Sequence, residues 1–272
     1  MNVRSLGWAG FEIEAGGCTV VVDALADPAA TFAALGDGAA GAALPAVVPA
    51  VGTGAAAGLL THLHRDHADA RALAAALADG APVFEPGWPG GEDIENLALA
   101  QAAAELARAG LDRREVAPWE SVEAGPFALT ALPAVDGLGD PQVSWLIEAE
   151  GARVLHLGDT RFHGWWWRMA RRHGPFDVVL APINGPAVDF PHLQPPSPLP
   201  AAMEPEEAAL AAELLGAERV VPMHYDGYAL DPWYRPEEDA GARFRAAAEG
   251  RPFEVVALAP GESLELAAPA AA

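Results

Sequence analysis

The chain has 272 residues, 51% of them hydrophobic, so a sizeable core is available to one large domain or two small ones. Sixteen basic residues, all arginine, face 38 acidic ones, for a net charge of −22. That balance argues against nucleic acid or an anionic membrane as partner, and the absence of lysine excludes Schiff-base catalysis by a lysine side chain.

Val3 to Leu6, Gly10 to Glu14 and Thr19 to Val22 read as an opening meander of strands punctuated by glycines. Cys18, the one cysteine, has no internal disulfide partner and reads as a core residue. Residues 34–57 are rich in Ala, Gly and Pro and read as a loop or insertion. Gly58 to Leu60 is a short buried strand, and helical patterns cover 68–79 and 95–109. Trp119 to Val122, Phe127 to Leu132, Val143 to Ala149 and Val154 to Leu157 return to strand patterning. A Trp- and Arg-rich helix over 163–173, a strand at Asp177 to Leu180 and a Pro-rich loop over 186–203 follow. The end of the chain reads as a helix at Glu204 to Leu215, a strand at Arg219 to Val221, a helix at Pro236 to Glu249, and strands near 253–258 and 263–266. Strands precede helices in each half, which suits two mixed sheets packed together with helices outside, in a single domain over 1–272. No apolar run approaches the roughly 20 residues that span a bilayer, and the N-terminus lacks a basic-then-apolar leader. A cytoplasmic protein is the expectation.

Thr61-His62-Leu63-His64-Arg65-Asp66-His67 places three imidazoles and a carboxylate on a strand-to-helix turn. Imidazole and carboxylate are common ligands of zinc, manganese and iron, and a trio of histidines left without a metal would repel itself when protonated. Other ligand-type residues share one placement, at the end of an apolar strand: Asp23, Asp136, Asp159 and His224. Strand ends that converge at one edge of a sheet form a common cleft.

These segments, with Gly158-Asp159-Thr160 and Pro222-Met223-His224-Tyr225, resemble the metallo-β-lactamase fold superfamily, and within it the ascorbate-6-phosphate-lactonase-like branch of metal-dependent hydrolases. The resemblance runs from Asp23 to His224 and implies a four-layer αββα sandwich with a metal cleft at the sheet edges. It implies one metal on His62 and His64, a second on Asp66, His67 and His224, a bridge through Asp159, and an orienting role for Asp23. The implied cofactor is one or two divalent transition-metal ions, zinc first, with manganese or iron as alternatives.

One departure stands out. The family has a third histidine for the first metal, and Asp136 occupies that place here, since no His lies between His67 and His156. Three accounts remain open: Asp136 is itself a ligand, His163 supplies the imidazole, or one metal suffices. The implied reaction is attack by metal-activated hydroxide on a small-molecule ester, lactone or phosphorylated substrate, with Asp66 and Asp159 in catalytic positions. A nuclease or phosphodiesterase of the same fold, and a non-catalytic metal- or ligand-binding protein, are the competing functions.

Arg65 and Arg161 are candidates to hold a substrate phosphate or carboxylate, with an ion pair as the competing role for Arg65. Asn184, before Gly185, reads as a turn residue or an amide near the substrate. Trp165-Trp166-Trp167 fan out over about 200° on a helix, so two are expected in the core and at most one at the cleft. The Pro-rich stretch 191–198 is a rigid surface loop, a lid or a contact in a homo-oligomer. His156 and His173 read as structural.

Overall fold

The computed structural model describes residues 1–33, 43–52, 54–87, 94–190 and 193–266. Three antiparallel strands open the chain: β1 (Asn2–Gly7), β2 (Gly10–Ala15) and β3 (Cys18–Val22). A short helix α1 (Pro28–Ala33) and an irregular segment lead to β4 (Ala57–Leu59). Then come α2 (Ala70–Ala76), β5 (Pro82–Pro86), α3 (Ile94–Arg108) and β6 (Asp112–Val116), with β3 to β6 mutually parallel.

The second half repeats that plan. A meander of β7 (Ser121–Ala124), β8 (Phe127–Pro133), β9 (Val143–Ala149) and β10 (Ala152–His156) is antiparallel throughout. It is followed by α4 (Trp166–His173), β11 (Phe176–Pro182), β12 (Ala187–Val188), α5 (Pro205–Leu215), β13 (Ala217–Met223), β14 (Tyr234–Arg235), α6 (Ala240–Ala248), β15 (Glu254–Val255) and β16 (Ser263–Glu265). One sheet runs β16-β1-β2-β3-β4-β5-β6, the other β15-β13-β11-β10-β9-β8-β7, and β12 pairs with β14 in a small separate ribbon. Each large sheet is thus a meander continued by parallel strands, and the helices between those strands must cover its outer face.

The burial pattern confirms four layers. Phe11, Ile13, Val20 and Leu59 of the first sheet pack with Phe127, Trp145, Ile147 and Leu180 of the second in one inter-sheet core. Leu73 and Leu106 close a second core beneath α2 and α3. Trp166, Met169, Leu215 and Phe244 close a third beneath α4, α5 and α6. This is the αββα sandwich expected from the sequence. Among the described residues, no helix is long and apolar enough to cross a membrane.

Some expectations need correction. Only Trp166 of the tryptophan trio is buried; Trp165 is 39% and Trp167 57% exposed, and neither lines the cleft. The buried stripe of α4 is Trp166 and Met169, three residues apart, so both neighbours of Trp166 are rotated off it. Trp165 instead meets Trp119 at the surface beneath the Arg168 guanidinium. Strands β5 and β6 lack a sequence signal: β5 is bounded by prolines, and β6 is an edge strand whose Asp-Arg-Arg-Glu run is mostly exposed. Of the anticipated loop 34–57, residues 34–42 and 53 lie outside the described residues, and β4 begins at its last position. Pro191 and His192 of the Pro-rich stretch also lie outside them.

Trp145 spans the two sheets. Its ring is fully buried and its Nε1 donates to the Leu60 carbonyl at 2.9 Å, just ahead of the histidine-rich loop. Trp145→Phe keeps most of the apolar area but strands that carbonyl. It is expected to cost about 1–3 kcal/mol, read as a lower urea midpoint with an unchanged slope.

Candidate metal centre

The first sheet delivers its ligand-type residues where β3 and β4 end side by side. Asp23 follows β3 in a left-handed conformation, φ 44°, which turns its carboxylate under the 61–67 loop. Oδ1 accepts from the Thr61 amide at 2.9 Å, and Oδ2 accepts from the Thr61 hydroxyl at 2.6 Å. The same Oδ2 takes the His67 Nδ1 proton at 2.8 Å. Asp69 then caps α2, accepting from the Arg71 and Ala72 amides, and also accepts from the Ala26 amide. The loop is therefore pinned at both ends by carboxylates.

The second sheet supplies the opposing residues. Gly158, at φ +65°, lets the turn before Asp159 approach Thr61; a Cβ there would lie 2.8 Å from Thr61 Cβ. His224 leaves β13 with φ 56°, its amide bonded to the Trp8 carbonyl at 3.0 Å and its ring 3.9 Å from the Trp8 ring. Such conformations are costly for residues other than glycine, and they recur where function demands a fixed direction. Asp136 follows β8, and its Oδ1 accepts from the Leu138 and Asp140 amides at 2.7 and 3.2 Å. Gln142, with its amide oriented to suit its neighbours, donates to Asp136 Oδ2 and accepts from the Asp159 and Thr160 amides.

Three overlapping sets result, each with ligand atoms within 4.8 Å of one another: His62, His64 and Asp136; His62, His67 and Asp159; Asp66, His67 and His224. The sequence spread these residues over 163 positions, and the fold gathers them at one end of both sheets. The spare ring nitrogens are already engaged. His62 Nδ1 meets the Thr61 hydroxyl at 3.0 Å, His64 Nε2 meets Asp140 at 2.9 Å, and His67 Nδ1 meets Asp23. That leaves His62 Nε2, His64 Nδ1 and His67 Nε2 for the interior of the cluster. Among the described residues, His62 Nε2, Asp159 Oδ1 and His224 Nδ1 are buried without a partner.

This donor set fits a divalent cation. His67 and His224 bring their Nε2 atoms to 3.3 Å from each other, and Asp159 Oδ2 lies 3.5 and 3.2 Å from them. The charges of the cluster are strongly coupled. Burial disfavours a charge on His67, but Asp159, Asp66 and Asp23 outweigh it and push its pKa well up. Burial likewise opposes ionisation of Asp66, yet His67, His224 and the Trp8 Nε1 donor, 2.9 Å from Oδ2, pull its pKa well down. His64 is held up to about 9: burial opposes it, and Asp136 and Asp140 prevail. Burial, then the neighbouring His67 and His64, keep His62 neutral. A bound cation would compete with the protons on these rings.

A cavity of about 280 Å³ opens onto the cluster through Asp66, Asp136, Asp159 and His224. Its walls are mainly apolar, with Phe32, Leu63, Leu138, Val188 and Ala202 among them. Arg65 lines it but is tied to Glu105 at 2.8 Å. Arg161 is not at the cavity; its guanidinium donates to the Pro200 carbonyl. Asn184 is buried behind the wall, donating to the Tyr234 hydroxyl at 2.7 Å. His163 is absent from the gathered sets among the described residues. Its ring stacks on Trp166 at 3.8 Å and its Nδ1 accepts from the Trp165 amide, so the strand-to-helix connection uses it for packing. His156 spans Ala9 O and Gly158 N, a structural position. Sequence reasoning missed Trp8, Asp140, Gln142, Tyr228 and Tyr234. Asp140 carried a signal, a second acid four residues after Asp136 in a glycine-rich turn; the others reach the site only through tertiary packing.

Residues 19–225 match the beta-lactamase superfamily domain. A UPF0173 metal-dependent hydrolase of Thermococcus kodakarensis is 31% identical over 218 residues, 76% of this chain and 80% of that protein. Among solved structures, the metallo hydrolase Igni18 of Ignicoccus hospitalis superposes with a TM-score of 0.66 at 20% identity, covering 98% of this chain and 99% of that one. CmlA, a diiron beta-hydroxylase of Streptomyces venezuelae, superposes with a TM-score of 0.68 at 17% identity, over 97% of this chain and 54% of CmlA.

Asp23 touches both the loop backbone and a candidate ligand ring. Asp23→Ala is expected to lower zinc affinity about 10–100-fold while the chain stays folded, measured by chelator competition alongside circular dichroism.

Proposed function

The chain belongs to the beta-lactamase superfamily, among the metal-dependent hydrolases, and we propose that it hydrolyses a small, uncharged carboxylic ester or lactone. The observation that carries this is the opening of the three Asp/His sets onto one small apolar cavity. His62 Nε2, His64 Nδ1 and Asp136 would hold one divalent ion, Asp66, His67 and His224 a second, with Asp159 between them. Asp136 makes the first set richer in oxygen, which suits zinc but also manganese or iron. When bound, such an ion lowers the pKa of water from about 15.7 towards 7 and polarises the scissile group.

The chain's own residues do the rest. Asp23 and Asp140 hold the His67 and His64 rings in one orientation. Asp66 engages Trp8, His67 and His224 through Oδ2, leaving Oδ1 to accept the proton that the attacking water loses and to return it to the leaving oxygen. The apolar walls exclude bulk water and strengthen those interactions.

Three observations favour an uncharged substrate over the phosphorylated one that the lactonase-like branch implied. Asp66, Asp136 and Asp159 line the cavity. Arg65 is spent on Glu105, and Arg161 on Pro200. A phosphate would find no unpaired cation of this chain among the described lining residues. A cavity of about 280 Å³ in a chain of net charge −22 also argues against a nucleic-acid strand as substrate.

Metal analysis of purified protein is expected to find a divalent transition metal, and 4-nitrophenyl acetate to be cleaved faster than 4-nitrophenyl phosphate. Preference for the phosphate would overturn the substrate assignment. Asp159→Ala is expected to abolish hydrolysis and reduce metal content; unchanged activity would sink its bridging role.

Proton competition gives a further measurement. His64 keeps its proton up to about 9 in the metal-free chain, and an ion binds only the unprotonated ring. Below that pH, this group makes zinc affinity rise about tenfold per pH unit, and above it the contribution disappears. Chelator competition across pH 6 to about 10 is expected to show that break.

A further inference from the structure

The apolar cavity has a polar spot that the metal-ligand sets do not use. Tyr228 and Tyr234 both line it beside Asp66 and Asp159, with their ring centroids 5.0 Å apart. Tyr228 is 2% exposed, and its hydroxyl has no partner among the described residues. Tyr234 accepts a hydrogen bond from Asn184 Nδ2 at 2.7 Å, which fills one lone pair, and its O–H proton meets no acceptor among the described residues. Buried phenols ordinarily find a partner, so two unspent donors at one wall point to a ligand acceptor.

Both rings are held in place. Tyr234 lies in β14, paired with Val188 of β12, and its amide and carbonyl exchange hydrogen bonds with Leu230 at 2.8 Å. Tyr228 stacks on Phe32 with ring centroids 4.1 Å apart. Both hydroxyls keep their protons at neutral pH. Burial, reinforced by Asp66, pushes Tyr228 up to about 12; burial, then Asp159 and Asp66, raise Tyr234 well above the ordinary phenol value.

We propose that the Tyr228 and Tyr234 hydroxyls form a subsite for the carbonyl oxygen of a neutral substrate. The binding claim stands on these contacts, while its catalytic consequence rests on the hydrolase reading above. In ester hydrolysis the water oxygen bonds to the carbonyl carbon, and the π pair moves onto the carbonyl oxygen. Two O–H donors aimed at that oxygen strengthen as its charge develops. The proton lost by water goes to Asp66 and then to the leaving oxygen as the acyl C–O bond breaks, giving acid and alcohol. A neutral donor suits this wall: an arginine among these carboxylates would be drawn into an ion pair, as Arg65 is with Glu105.

The test compares the zinc-loaded full chain with Tyr228→Phe and Tyr234→Phe, which keep the rings and remove one hydroxyl each. Acetophenone and ethylbenzene serve as inert probes differing in the carbonyl, with binding followed by tryptophan fluorescence. Each variant is expected to bind acetophenone about five- to tenfold more weakly, with ethylbenzene affinity and zinc content unchanged. Turnover of 4-nitrophenyl acetate is expected to fall about 100-fold or more. Wild-type acetophenone affinity in both variants overturns the subsite, as does equal loss of both probes. If the wild type binds acetophenone in this hydroxyl-dependent way but cleaves no ester, the hydrolytic reading fails and the carbonyl subsite stands. Each tyrosine is tested separately, so a variant that fails to fold leaves the other to decide.

Discussion

The Asp23 carboxylate is fully buried and takes hydrogen bonds from the Thr61 amide, the Thr61 hydroxyl and the His67 ring. Among the described residues no arginine pairs with it, and its hydrogen-bond donors there come from the histidine-rich loop. Losing those donors would leave a buried carboxylate uncompensated, which is far more costly than losing a surface contact. The loop is thus tied to β3 by electrostatics as well as by chain connection. Thr61 passes the constraint on: its hydroxyl meets His62 Nδ1, and its carbonyl accepts from the Val143 amide of the second sheet. His67, held by Asp23 on one nitrogen, can present only the other to the cluster. The direction of the ligand atoms therefore follows from a residue that need not touch a metal.

The second constraint is the repeated plan of the two sheets. In each, a meander feeds parallel strands, and the ends of those strands face the same edge. Asp23 follows β3, the third strand of the first meander, and Asp159 follows β10, the last of the second, so they are counterparts. Burial of both inner sheet faces in one core fixes how the edges meet. Trp145 and Trp8 then act as cross-ties, the first donating to Leu60 O, the second accepting from the His224 amide through its carbonyl. A site assembled from both halves exists only when both sheets are packed, so its geometry reports on the whole domain.

Much of this was legible in the chain. The apolar runs marked most strands, and ligand-type residues at their ends marked the cleft, because a strand end is where a rigid scaffold stops and polar groups can gather. The position of Asp136 was also readable, since no histidine intervenes between His67 and His156. What was not legible depends on tertiary distance. His163 lies only four residues from Asp159, yet its ring turns into the packing of Trp166. Arg161 lies two residues from Asp159, yet bonds a loop carbonyl. Asn184 had two sequence-level roles, turn or amide near the substrate, and the fold gives it a third as a support behind Tyr234. Strand β5 was hidden by the prolines that bound it, and β6 by the exposed charges of an edge strand.

Electrostatics links the site to the choice of substrate. Asp23, Asp66, Asp136, Asp140 and Asp159 surround the imidazoles, and the cluster attracts cations before anything else. Two divalent ions would bring four positive charges and could neutralise most of that set, leaving little net field to draw in an anion. Beyond the Asp/His cluster, the described wall adds none: its arginine is paired with Glu105, and its other polar side chains are the neutral hydroxyls of Thr31, Tyr228 and Tyr234. Recognition must then come from apolar contact and neutral hydrogen bonds, which discriminate by shape and by the presence of an acceptor. Such a site would favour compact uncharged molecules, since the surface of so acidic a protein would repel anions as they approached. On the proposed reading, the acids that would gather the metal also favour a substrate that arrives without a charge of its own.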